Sequence, residues 1–196
     1  MWGLAILLAL APSEVSLDVP VYVSAELETG TLEIALKEVA DIFAPGAIRL
    51  QFSLNPETAL REHRISVVVQ DEPARFVVHG CRRGRHDHRL GNTHLLSRRI
   101  TLWSRQVARA VDGNWDSREP PEVDEGMHAR ALGRVFAHEL GHLLLRLNEH
   151  REDGLMRSSF SHRSLTARGG RSFRLSKEDL ERIRSAIVTA KAAEGG

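Results

Sequence analysis

The stretch from Ala131 to Leu147 combines an apolar stripe with the segment His138-Glu139-Leu140-Gly141-His142, and no other feature restricts the chain as strongly. Leu132, Phe136, Leu140, Leu143 and Leu147 recur at helical spacing, so a long helix over about residues 127–147 is expected, with that stripe turned to the core. Two histidines four apart on such a helix share one face and lie about 6 Å apart along its axis. By rotation they fall to one side of the stripe, where both imidazoles can be aimed at one ion from the edge of a cleft. Ionisable groups within a helix otherwise committed to burial are costly unless they are paired or ligated.

The chemistry that suits this pattern is metal-assisted hydrolysis. His138 and His142 supply two ligands, and Glu139 stands where a general base takes a proton from zinc-bound water. A hydrolytic Zn²⁺ needs three protein ligands and one open position. His150 is the leading candidate for the third. On a continuous helix it would lie about 12 Å beyond His142 and on another face, so the helix must end before it and the chain must double back. Asn148 is the residue expected to adopt the left-handed conformation at that end. Glu178 or Glu181, on a downstream helix, is the second choice of third ligand. A rival class is a non-catalytic binding or interaction protein stabilised by zinc. The two differ at the fourth position, open to water in an enzyme and closed by protein in a structural site.

The segment HELGHLLLRLNEHREDGLMRSSF resembles the metzincin side of the zinc peptidases, whose pattern is HExxHxxGxxH followed by a methionine-containing turn. Strict spacing would put the glycine at Leu145 and the third histidine at Asn148, two residues before His150. The segment is closer to a group of uncharacterised bacterial proteins with a longer loop, in which a glycine is expected where this chain has Arg146. The resemblance implies a zincin-like fold and a metalloendopeptidase acting on peptide or protein substrates. It makes Met156, in Gly154-Leu155-Met156, the candidate methionine of the turn, packed beneath the metal. It also implies that Ile100 to Trp103 is the strand beside the cleft, along which a substrate could add as a further strand.

Around this centre the chain reads as one α+β domain, a small mixed sheet packed with the long helix. Thr31 to Phe43 has helical apolar spacing and stops at Pro45-Gly46; Ile48 to Leu54, Ile65 to Val69, Arg75 to His79 and Ile100 to Trp103 read as strands. Gly80 to Arg99 and Asp112 to Gly126 read as loops, and Leu175 to Ala190 as a closing helix capped by Ser176. With 196 residues there is room for one full core and little room for a second. Cys81 is the only cysteine, which excludes an internal disulfide framework and a Cys-rich zinc module. A net charge of +1 gives no global pull toward nucleic acid. Arg82, Arg83, Arg85, Arg89, Arg98 and Arg99 form a local basic stretch, but no aromatic platform or reading helix accompanies them, so no nucleic-acid partner is expected. His79, Cys81, His86, His88 and His94 in the same region fit no zinc spacing and read as a solvated loop. Residues 1–16 open on an apolar run ending in Ala9-Leu10-Ala11, of signal-peptide length and too short for a membrane anchor; a secreted or periplasmic destination is expected, with a cytoplasmic one the alternative.

Overall fold

The computed structural model describes residues 13–56, 65–72, 89–115 and 121–194. The run 1–12, the strand expected over Arg75 to His79, and His79, Cys81, Arg82, Arg83, Arg85, His86 and His88 lie outside the described residues. Within them, β1 (Val15–Val23), β2 (Ile48–Leu54), β3 (Ser66–Gln70), β4 (Gly91–His94) and β5 (Arg99–Trp103) form one sheet in the order β2-β1-β3-β5-β4. The first four positions in that order are parallel, and β4 runs antiparallel to β5 at the edge. The architecture is the mixed α+β arrangement expected.

β1 was not anticipated. It begins inside the apolar N-terminal stretch set apart in the sequence, with Val15 and Ser16 already in register with Ile48 and Arg49. Its apolar residues alternate as a strand requires, and Val15, Val19 and Val21 are buried. Pro20, which has no N–H for a ladder, falls where β1 has only β2 beside it, because β3 joins at Val21.

Helix α1 (Thr29–Phe43) buries Ala35, Val39, Ile42 and Phe43 and ends in a 3₁₀ turn at Ala44–Gly46 that leads into β2. Two short helices then flank the long one: α2 (Ser104–Asp112), stopped by Gly113 at φ 78°, and α4 (His162–Thr166). The closing helix α5 (Lys177–Glu194) starts as expected at Ser176, whose Oγ accepts from the Asp179 N–H at 3.0 Å.

The long helix α3 (Glu125–Leu145) is the axis of the molecule. Asp124 caps its start by accepting from the Met127 N–H at 2.8 Å, and it packs against α1, α2, α4, α5, β4 and β5. Every residue from Ala131 to Leu143 is buried, so α3 is a central helix enclosed on all sides and not one with a single core stripe. Leu147, assigned to that stripe, lies beyond its end. Enclosure also explains Arg134, which is fully buried. Its guanidinium donates to Glu38 Oε1 at 2.8 Å and to the carbonyls of Ser164, Leu165 and Ala167 at 2.7–2.9 Å. A charge in the core is tolerated because each of its nitrogens has an acceptor.

Candidate metal centre and cleft

Helix α3 ends one turn after His142, and it ends at Arg146. That residue takes φ 54°, ψ 41°, and the N–H groups of Arg146 and Leu147 both donate to the His142 carbonyl. The left-handed residue is therefore Arg146 and not Asn148: the reversal comes at the position where the resemblance leads one to expect glycine, the residue that adopts this conformation without a steric cost. The early stop turns the chain back at once. The Leu147 carbonyl reaches His142 Nδ1 at 2.7 Å, and three residues later His150 arrives beside the other two histidines.

The three imidazoles converge through their Nε2 atoms. His142 Nε2 stands 3.0 Å from His138 Nε2 and 3.2 Å from His150 Nε2. The His138 and His150 rings are nearly parallel at 5.3 Å, with His142 edge-on to both. A second backbone carbonyl, that of Leu155, lies 2.7 Å from His138 Nδ1. A carbonyl oxygen can only accept, so Nδ1 of His138 and of His142 each donate, and in a neutral ring the lone pair is then on Nε2. Burial pushes the His138 imidazole down to about 4 and the His142 imidazole below its ordinary value, which keeps both neutral near pH 7.

Lone pairs facing one another at these distances repel unless a cation lies between them. Nitrogens bound tetrahedrally to Zn²⁺ at 2.0–2.1 Å would sit roughly 3.3 Å apart, close to the observed spacing. The donor set thus fits zinc, with the Nδ1–H to carbonyl bonds fixing tautomer and ring orientation as outer partners of metal ligands do. Among the described residues this is the one group of three or more His, Cys, Asp or Glu side chains placed to hold a metal. Glu178 and Glu181 are exposed on α5 and take no part. His94 is engaged locally, its Nδ1 3.2 Å from the Ser97 N–H.

Met156 is buried behind the motif. A Cβ added at Gly141 would lie 2.5 Å from its Sδ, so the glycine of the motif is the space that Met156 fills. The segment carrying Met156 is tied down on both sides, the Leu155 N–H donating to the Arg174 carbonyl at 3.0 Å and Arg151 pairing with Asp179 at 2.6 Å. This is the segment whose Leu155 carbonyl orients His138.

The histidines open onto a cleft of ≈ 720 Å³, bounded by Gly91, Asn92 and Thr93 of β4 on one side and by Ser158, Ser159 and Phe160 on the other. Glu139 lines it. Burial drives its carboxyl up to about 7, against the opposing pull of the Thr93 hydroxyl and the Arg89 guanidinium. Thr93 Oγ1 lies 2.6 Å from Glu139 Oε2 and 2.9 Å from the Glu139 carbonyl. Phe160 meets the His138 ring edge-on at 5.0 Å and leans on Phe173, whose face carries the Arg134 guanidinium at 4.9 Å. The sequence expectation placed Ile100 to Trp103 beside the cleft; that strand, β5, is covered on both sides by β3 and β4, and β4 is the strand that lines the cleft. Gly-Asn-Thr-His has no apolar alternation, which is why the sequence there reads as loop although it forms β4.

No protein-family model matches the sequence, and no curated protein matches it. Solved structures do. The crystal structure of archaemetzincin from Methanopyrus kandleri superposes with a TM-score of 0.52 at 12% identity, over 88% of this chain and 96% of that one. The fold is similar to that of archaemetzincin. A zinc-dependent peptidase from Methanocorpusculum labreanum gives a TM-score of 0.47 at 10% identity, over 86% of this chain and 99% of that one.

Proposed function

We propose that the protein is a zinc-dependent hydrolase, and within that class a metalloendopeptidase, in which His138, His142 and His150 hold Zn²⁺ and Glu139 is the general base. The observation that carries this is the convergence of three Nε2 atoms whose rings are oriented by backbone carbonyls, beside a buried carboxyl in an open cleft. Three ligands among the described residues leave a fourth position for a reacting molecule, which favours an enzyme over a closed structural site. The similarity in fold to archaemetzincin agrees with this assignment.

Bound zinc would supply Lewis acidity, lowering the pKa of water to about 7 and polarising a carbonyl. The chain itself does the rest. Glu139 takes a proton from water in the cleft and returns it to the departing amine. Its own ordinary state is shifted toward neutrality by burial, which suits both halves of that transfer near pH 7. The outer edge of β4 can hold an extended peptide by main-chain hydrogen bonds, which would draw the scissile bond past Thr93 toward Glu139.

Zinc stoichiometry measured together with cleavage of an unbiased peptide library tests the proposal. The expected result is one zinc per chain and cleavage that Glu139→Gln lowers about 100-fold or more while keeping the metal. Equal turnover in that variant would refute the catalytic role. Unchanged zinc content in His150→Ala would remove His150 from the ligand set.

A further inference from the structure

Glu139 is a side chain with three torsions, yet a general base acts only from a fixed position, so the structure must restrain its carboxylate from outside the helix. The restraint comes from the edge strand β4. The Thr93 hydroxyl lies 2.6 Å from Oε2 and 2.9 Å from the carbonyl of the same residue. The hydroxyl carries a single proton, and the shorter contact is the one to the carboxylate, as a charge-assisted O–H···O bond should be. Held by Oε2, the carboxylate has its other oxygen to accept a proton.

Gly91 makes this contact sterically feasible. It lies two residues before Thr93 and so on the same side of the strand. A Cβ there would stand 3.0 Å from Glu139 Cγ, 3.1 Å from the Thr101 carbonyl oxygen and 3.2 Å from Leu102 Cδ2. Glycine lets β4 approach α3 closely enough for the next inward side chain to reach the carboxylate. Alternate positions of one strand thus give Glu139 room and a partner, and neither belongs to the histidine motif.

Resting on the assignment of Glu139 as general base, we infer that Thr93 is its positioning residue: the hydroxyl fixes the carboxylate in the cleft, and Gly91 provides the close approach that makes the contact. Because the restraint matters most as the proton moves, its loss falls on kcat and leaves KM and zinc content nearly unchanged.

The test has two arms. The first is a double-mutant cycle of Thr93→Val and Glu139→Ala on the urea midpoint of the zinc-loaded protein. Thr93→Val keeps the β-branched shape that suits a strand and removes only the hydroxyl. Non-additive midpoint shifts are expected, and additive ones overturn the inference whether or not the protein has an activity. The second arm is cleavage of a peptide pool. Thr93→Val should lower kcat about 10-fold or more with KM within about twofold, and Thr93→Ser, which restores the hydroxyl, should bring most of it back. Full activity in Thr93→Val, or a Thr93→Ser variant as impaired as Thr93→Val, overturns the positioning role. A wild-type protein that binds zinc and cleaves nothing refutes the peptidase assignment instead, and the first arm still decides whether Thr93 holds Glu139.

Discussion

Arg146 holds a backbone conformation at φ 54° that costs a residue with a Cβ about 1 kcal/mol or more relative to glycine. Its side chain is exposed, so nothing in the core is lost by removing it. Arg146→Gly should therefore stabilise the protein by about 1 kcal/mol, read as a higher urea midpoint at unchanged slope. A lower midpoint would show that the side chain holds the turn in a way its exposure conceals. Arg134 is the opposite case. Arg134→Met would leave the carbonyls of Ser164, Leu165 and Ala167 and the Glu38 carboxylate without their donor, and should cost about 3 kcal/mol or more. A loss under 1 kcal/mol in chemical denaturation would mean that water replaces those bonds. At this scale the histidines were legible because metal ligation demands residue types at a spacing. Arg146 was not, because its conformation is imposed by the need to bring His150 back and contradicts its own preference. Thr93 was not, because its partner is 46 positions away in the chain.

Elements were legible where burial on one face leaves a periodic trace. Helix α1, strands β2 and β5, and helix α5 show that trace; β2 was placed at the residues it occupies, and the ends of the others shift by a few residues or fewer. Strand β4 leaves none, since its residues face the cleft and the tip of a hairpin, and β1 was hidden by its Pro20 and by the apolar run in front of it. Helix α2 went unread because a nine-residue helix squeezed between a strand and a turn offers little more than two turns of pattern. It docks on α3 through His128, whose Nε2 lies 3.1 Å from the Ser104 carbonyl. Burial holds that imidazole below its ordinary value, so the folded protein keeps it neutral while the unfolded chain takes up a proton from about pH 6.5 downward. The stability tied to neutral His128 is thus present above that pH and is lost as the pH falls through the lowered folded value. Gln at this position keeps a donor without titrating. Between pH 7.5 and 5.5 the urea midpoint of His128→Gln should fall less than that of the wild type, both at the same zinc concentration; equal falls would show that His128 does not set the slope.

For the whole molecule, the three-histidine cluster joins two parts of the chain. His138 and His142 belong to the enclosed central helix, whereas His150 is exposed on the returning segment and touches the core through the other two rings. That segment is in turn fastened to the start of α5 by Arg151 and Asp179 and to the stretch before it by Leu155 and Arg174. A cation held by all three histidines therefore binds the folded chain and has little affinity for the unfolded one, and it should stabilise the whole protein by mass action. At a free zinc concentration about 100 times the dissociation constant the gain is about 2.7 kcal/mol. Chelation should lower the unfolding free energy of the wild type by that amount, read as a lower urea midpoint at unchanged slope. In His150→Ala, with the third ligand gone, chelation should shift it much less, while the metal-free stability of the two proteins stays close because an exposed imidazole contributes little packing. If chelation shifted both equally, zinc would be held by the helix pair without the returning segment, and the tight turn at Arg146 would need another reason to exist.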